Sequence, residues 1–513
     1  MAGIDPGGTA AAAATTAATT ISRPTRIGRL RSSLRDFIIT SSIASCMIAA
    51  FLTNKASMSN EQTQLNDQNS FLAPHLQSQS QRPLSHQERT SSAPNGNGNG
   101  NDGGGVTLKN TTRSKVHWCF WRPHMFTPMN ILRDEFGYTE EVDPKAGDNW
   151  DLIFGGYPHC GDKRFDWKME TGLNKFLSEE QGWDKLQPHQ VWFPCMGCKD
   201  SYCNKRDLCL LMKEIDPNYC FSLPDDHDRL LKNMRQSQEE AEGLSKPKQQ
   251  FWVLKEDGPD KHLHVGNGVS FIKSERELPN KQDQSSGSYL VQPLVNHKMG
   301  VGIYQRRRHE LRMYVCVTST TPLRAYTYTV VGKFANAQID IDDAHQLNPC
   351  SVDTHGGRTQ QKLGCHINET FSAYRSFDNF SENVGITEPE KQIFLTATNR
   401  LIGKILLQAQ PKIQNNAVNK GITTSGAVCF SFLRVDFAMT EAIEPYIYEI
   451  NEYPFANEKG LSGSVQGKAY RELFQMIGLD QVPIVASERS KYEMGRLGGW
   501  TPTVVDDVLF NKV

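Results

Sequence analysis

Two late segments constrain the fold most: Phe432-Leu433-Arg434-Val435-Asp436-Phe437 and Tyr446-Ile447-Tyr448-Glu449-Ile450-Asn451. Each reads as a short apolar, β-branched and aromatic strand, interrupted by acid or amide groups on the face that should be buried. Ala438 to Pro445 between them is polar and carries the Thr440-Glu441 step of a hairpin turn. A hairpin there sets Asp436, Glu449 and Asn451 side by side. Buried carboxylates are unfavourable unless something compensates them. Neighbouring Arg434 or Lys459 is one such partner. A hard cation such as Mg²⁺, which takes oxygen ligands and brings nucleotide phosphates with it, is the other.

At 513 residues the chain is long enough for two domains or more. A net charge of −1 gives no global pull toward nucleic acid or acidic lipid, so no nucleic-acid partner is expected. That average hides segments of different character. Residues 1–36 form a basic tail in which Arg23, Arg26, Arg29, Arg31 and Arg35 precede an uncharged run, Phe37 to Thr53. The run is about the minimum length of a bilayer span. It reads as a signal anchor, a signal peptide or part of a transit peptide; the anchor fits best, because only a tether follows it. The arginines on its N-terminal side put the N-terminus in the cytosol. A single-pass type II membrane protein with its catalytic domain in the ER or Golgi lumen is therefore expected, with a cytosolic or cytoskeletal placement as the alternative. Residues 54–115, rich in Gln, Asn, Ser and Gly, read as a disordered linker that cannot bury enough apolar surface to fold.

Eleven of the twelve cysteines follow the apolar run, and Cys195, Cys198, Cys203 and Cys209 crowd into one loop. Their spacing leaves disulfides, a zinc site and simple thiols all open.

Globular sequence begins at Val116. Strands at Val116–Trp121 and Trp150–Phe154, with a helical stretch near Glu170 to Phe176, suggest a small α/β subdomain over residues 116–245. Phe251 to Lys255 is a strand ending in a lysine, and the loop behind it carries Gly266 and Gly268. Small residues there would let backbone N–H groups approach phosphate oxygens. Tyr289 to Val295 is a strand whose end, with Gln292 and Leu294, can face a flat ring. The basic run Arg306-Arg307-Arg308 leads into His309 to Val317, where Glu310 and Arg312 share one strand face and Leu311, Met313 and Val315 the other. The run is either a solvated edge or an anion site for an acidic acceptor.

Lysine strand, glycine loop, Q-x-L strand end, E-L-R strand and D…E-x-N hairpin follow one another in order. That succession resembles the tubulin–tyrosine ligase-like family of ATP-grasp ligases. Phe251 to Lys255 is similar to the family's W-[IV]-[VL]-K strand, and Val291 to Val295 to its hinge. His309 to Val317 with the Pro322-Leu323-Arg324 turn looks like its D-[LI]-R stretch. Val435-Asp436-Phe437 and Tyr448-Glu449-Ile450-Asn451 are similar to its D-[FV] and L-E-[VI]-N pair. Upstream, Lys205-Arg206-Asp207-Leu208 and Phe221-Ser222-Leu223-Pro224 match its helix start and its [FY]-x-L-P. The resemblance covers roughly residues 185–480. Glu256 stands where the family has a proline, Glu310 where it has Asp, and Pro293 where a charge is common. The H-[LV]-T-N motif has no clean copy; His345 to Asn348 is the nearest.

The resemblance implies an α/β (α+β) ATP-grasp fold: a divergent, membrane-anchored member with a ligase domain at 246–480 and a C-terminal extension at 481–513. It implies an ATP- and Mg²⁺-dependent ligase, with a polyglutamylase type among the options, that adds a free amino acid to a protein carboxylate through an acyl phosphate. Asp436, Glu449 and Asn451 would hold Mg²⁺. Lys255, Gly266, Gly268, Gln292 and Leu294 would bind ATP. Arg312 and Glu310 would be catalytic, and Arg306, Arg307 and Arg308 would draw in an acidic acceptor. That acceptor is a tubulin tail in the cytosol or an unknown lumenal protein otherwise, with residues 37–53 as the membrane contact. The rival readings are a type II glycosyltransferase-like protein, for which Asp340-Ile341-Asp342 has the letters only, and a non-catalytic ATP-binding protein.

Overall fold

The computed structural model describes residues 115–118, 126–141, 151–154, 190–193, 195, 199–242, 250–257, 264–265, 268–280, 288–339, 349–352, 364–419, 428–452, 454, 460–479 and 488–510. The basic tail, the apolar run, the linker up to residue 114, the stretches 170–176 and 340–348, Cys198 and Gly266 lie outside them. Three sheets organise the described residues.

Short strands at Lys115–Trp118, Thr139–Glu141, Leu152–Phe154 and Val191–Phe193 pair in parallel, the polar Thr139–Glu141 at one edge, and the edge beside Val191–Phe193 is closed by Val428–Cys429. Parallel pairing demands long crossovers, which the spacing of these runs allows.

A second, five-stranded sheet runs Phe221–Leu223, Ser288–Pro293, Trp252–Asp257, Gly268–Ile272, His264–Val265. Its period-2 pattern sorts the two faces. Trp252 and Leu254 turn to one side and pack with Phe221, Ile272 and Val291 against Leu230 and Met234 of the helix His227–Glu242. Val253 and Lys255 turn to the other, and Gln292, the register partner of Val253, shares that face.

The central sheet has seven strands. Its long members are β1 (His309–Thr320), β2 (Leu323–Phe334), β3 (Ser431–Met439) and β4 (Pro445–Glu452), in the order β4-β3-β1-β2, continued by Thr501–Val505 and Val508–Leu509. One face is apolar without a break. Leu311, Met313, Val315, Leu433, Val435, Phe437 and Ile450 lie against Phe394, Ile402, Ile405, Leu406 and Ile413 of the helix α1 (Glu388–Asn419). Burial of each aliphatic side chain here contributes roughly 1.5–3 kcal/mol. On β2, a Cβ at Gly332 would fall 2.6 Å from Phe380 and 2.8 Å from Leu311, so glycine alone lets the short helix Phe377–Val384 press onto the sheet.

The opposite face is divided. At one end Tyr314, Cys316, Tyr326 and Phe432 pack against Tyr470, Leu473 and Phe474 of α2 (Gly460–Met476). At the other end the same face carries Glu310, Arg312, Lys333, Arg434 and Asp436. The alternation along β1 that the sequence implied, acid and base on one side and aliphatics on the other, is what separates core from site.

Three disulfides are present among the described residues: Cys195–Cys429, Cys209–Cys220 and Cys350–Cys365. Two members of the cysteine-rich loop, Cys195 and Cys209, are thus bonded to partners outside it, which rules out a zinc site made from all four.

The expected type II membrane protein with a lumenal domain is corrected. Among the described residues no helix is long and apolar enough to cross a membrane. The longest, α1, spans 32 residues but interleaves Lys391, Arg400, Lys404 and Lys412 with its buried side chains. The run 37–53 that suggested an anchor lies outside the described residues.

Candidate active site

Antiparallel pairing across three strands builds the polar end of the central sheet. Arg312 on β1 is in register with Asp436 on β3, and Asp436 with Glu449 on β4. Arg434 is likewise opposite Asn451. Paired residues share a face, so all five side chains converge. Beyond Asp436 the β3–β4 register shifts, Phe437 pairing with Ile447, so Tyr448 is bulged out. The Tyr448 hydroxyl meets His297 Nε2 at 2.5 Å.

Asp436 is 6% exposed and takes most of the local cations. Its Oδ1 accepts from Arg312 Nε at 3.1 Å; its Oδ2 accepts from Asn451 Nδ2 at 3.1 Å and lies 2.9 Å from Arg434 Nη2. Arg312 reaches back to Glu310 Oε1 at 3.2 Å. The same oxygen accepts from Tyr374 Oη at 2.9 Å and lies 3.5 Å from Lys333 Nζ. Lys333 is buried, and that burial pulls its pKa down, with Glu310 opposing the shift.

Glu449 stands where the central and second sheets meet. Lys205, in the first turn of the helix Lys205–Ile215, places its Nζ 3.9 Å from Glu449 Oε1. That turn is fixed by Asn204, whose side chain caps the Asp207 N–H at 2.7 Å. Lys255 donates to Gln292 Oε1 at 2.5 Å. Burial depresses Lys255 to about 8, against an upward pull from Glu449 and a further lowering by Lys205. A lysine poised near neutrality this way responds strongly to any anion brought beside it.

The other expected ATP residues are less alike. Gln292 is buried on the Lys255 face. Leu294 is 8% exposed, and its backbone is already engaged: its N–H donates to Phe251 at 2.8 Å and its carbonyl accepts from Gln250 at 3.1 Å. Only its side chain is left to meet a ring. Gly268 has φ 73, a backbone that L side chains rarely adopt, and opens the strand Gly268–Ile272. Gly266 lies outside the described residues.

The basic run does not form one surface patch. Arg306 has φ 61 and donates through Nε to Ile339 O at 3.1 Å. Arg307 donates to the carbonyls of Ala335 at 3.0 Å and Asn336, and its guanidinium lies 3.5 Å from the Phe371 ring centroid. Arg308 is 6% exposed and donates to Val295 O at 3.2 Å.

Among the described residues no group of three or more His, Cys, Asp and Glu side chains forms a metal-ligand set. Two carboxylates and the Asn451 amide do converge, and such hard oxygen donors suit Mg²⁺, which usually relies on one or two carboxylates and completes its shell with waters and phosphates. The donor chemistry therefore fits.

Lys333 and Tyr374 were not singled out from the sequence. Lys333 had a signal: counting outward from the Thr321-Pro322 turn, with Thr320 opposite Leu323, brings Lys333 opposite Glu310. Tyr374 had none, since it arrives from a separate segment.

Residues 195–489 match the Tubulin-tyrosine ligase family. Tubulin polyglutamylase TTLL6 of Homo sapiens is 26% identical over 249 residues, covering 44% of this chain and 25% of its own. Tubulin polyglutamylase TTLL7 of Homo sapiens is 21% identical over 347 residues, or 64% of this chain and 34% of its own. TTLL6 of Mus musculus is 22% identical over 233 residues, 44% and 27%. The chain thus spans about a quarter to a third of the length of these curated relatives. All three are tubulin polyglutamylases by name.

Proposed function

Because the chain belongs to the tubulin-tyrosine ligase family, we propose that it is an ATP- and Mg²⁺-dependent ligase joining a free amino acid to a carboxylate of an acidic protein, as a tubulin tail would offer. The observation that carries the reading is the Arg312–Asp436–Glu449 row, register-paired across three strands, with Lys255 facing Glu449 from the second sheet.

In this reading Lys255 pairs with phosphate as a point charge. Gly266 and Gly268 would let backbone N–H groups approach the phosphates, and Gln292 with the Leu294 side chain would flank the adenine. Asp436, Glu449 and Asn451 would hold Mg²⁺, which would supply charge neutralisation at the phosphates. Glu310 and Lys333 orient Arg312, whose planar fork stabilises the transferring phosphoryl group. The acceptor carboxylate oxygen bonds to the γ-phosphorus as the bond to ADP breaks. The amino acid's amine then attacks the acyl carbon and expels phosphate. With their guanidiniums held by backbone carbonyls, Arg306, Arg307 and Arg308 lend a positive field toward an acidic acceptor rather than direct contacts.

Incubating the purified full chain with MgATP, radiolabelled glutamate and an acidic carboxyl-terminal peptide tests this. ATP-dependent incorporation that Asp436→Ala abolishes is expected. ATP turnover unaffected by Asp436→Ala would defeat the assignment, and nucleotide binding without turnover would favour a non-catalytic ATP-binding protein.

A further inference from the structure

Tyr374 reaches the site from a strap rather than from the sheet. Arg375–Ser376 pairs with Val331–Gly332 of β2, and Arg375 Nη1 donates to Ala373 O at 2.7 Å. Arg307 is stacked on Phe371 of the same strap. Held from both sides, Tyr374 lays its ring under two cations at once. Arg312 Cζ and Lys333 Nζ each lie 4.7 Å from its centroid. Its hydroxyl and these two cations all meet one oxygen, Oε1 of Glu310.

Two like charges side by side repel, and the low exposure of Arg312 and Lys333, 6% and 4%, strengthens that repulsion. Glu310 offsets part of it, and the negative face of the ring offsets more. Counting Arg434 and Asp436, and Glu449 with the Lys205 and Lys255 that face it, the site sets five cations against three acids, so it favours an added anion. We propose that Tyr374 is a positioning residue whose ring and hydroxyl hold Arg312 and Lys333 as a two-pronged clamp for a phosphoryl group. This rests on the ligase reading above and names the device that aligns its cations.

Tyr374→Phe keeps the ring and loses the hydrogen bond; Tyr374→Leu loses both. The expected fall in kcat is about tenfold for Phe and about a hundredfold for Leu, with KM for ATP changing less than threefold. Tripolyphosphate, titrated calorimetrically into the full chain, provides a readout independent of the ligase reaction. Its affinity should fall about fivefold in Tyr374→Leu and less in Tyr374→Phe. A wild-type chain that transfers no amino acid, while the tripolyphosphate order holds, removes the ligase reading and leaves the clamp. Unchanged tripolyphosphate affinity in both variants, or none in the wild type, overturns the clamp. Thermal melts check folding, and if Tyr374→Leu fails to fold the Phe variant decides.

Discussion

Arg312 and Asp436 are register partners on adjacent strands, with Arg312 Nε 3.1 Å from Asp436 Oδ1 and both side chains under 10% exposed. A pair this buried stabilises little against an apolar replacement, yet removing one member strands the other. Asp436→Ala leaves Arg312 and Arg434 without their shared carboxylate. The expected loss is about 3 kcal/mol, read as a lower urea midpoint with an unchanged m-value. In a double-mutant cycle, Arg312→Leu should restore part of that loss in the Asp436→Leu background. A midpoint unmoved by Asp436→Ala would mean the pairing does not hold in solution.

Lys255 gives the site a pH signature. Burial places it at about 8, below its ordinary 10.5. A phosphate favours the protonated amine, so MgATP affinity should be flat below pH 8 and fall as pH rises through it. Lys255→Arg, charged throughout, should hold affinity at pH 9, whereas Lys255→Met should be weak at every pH. Fold stability runs the other way. Between about pH 8 and 10.5 the unfolded chain keeps a proton that the folded chain has released, so this residue's contribution rises with pH. A pH-independent affinity in the wild type would remove Lys255 from the phosphate site.

Much of this site was legible because strand periodicity is local. The alternation of Glu310 and Arg312 with Leu311 and Met313 follows from period 2 alone. The hairpin itself is legible too, but its turn alone would set Asp436 opposite Tyr448; the bulge at Tyr448, which leaves no periodic trace, is what brings Glu449 opposite instead. Partners supplied from a distance were not legible. Tyr374 docks through a two-residue strand, and Cys429 bonds to Cys195 across 234 residues; neither leaves a periodic trace. The arginine run, read as either a solvated edge or an anion site, shows a related limit: its spacing gives no hint that backbone carbonyls of Ile339, Ala335 and Val295 accept from it.

Arg307 is therefore a structural residue first. Arg307→Ala removes its hydrogen bonds to backbone carbonyls and the stacking on Phe371, and should destabilise the chain by about 2 kcal/mol. The Michaelis constant for an acidic acceptor peptide should move less than twofold. A large rise in that constant with an unchanged unfolding midpoint would instead make Arg307 a direct acceptor contact.

The disulfides allow a comparison in which chain topology decides the order. Cross-linking stabilises mainly by restricting the unfolded chain, more so for longer loops. Cys195–Cys429 closes a loop of 234 residues and Cys209–Cys220 one of 11. In the chain-entropy picture these correspond to roughly 5 and 3 kcal/mol. Both are mechanically placed: the first links Cys195, just past the strand Val191–Phe193, to the neighbouring strand Val428–Cys429 that leads into β3, and the second joins the helix that carries Lys205 to the residue preceding the strand Phe221–Leu223. Cys195→Ala/Cys429→Ala should thus lower the urea midpoint more than Cys209→Ala/Cys220→Ala. Replacing Cys209 and Cys220 should nonetheless weaken MgATP binding more, because it loosens Lys205 beside Glu449. Reductant should shift the wild-type midpoint and leave a variant lacking all three pairs unmoved. A wild-type midpoint indifferent to reductant would show that these bonds carry none of the stability.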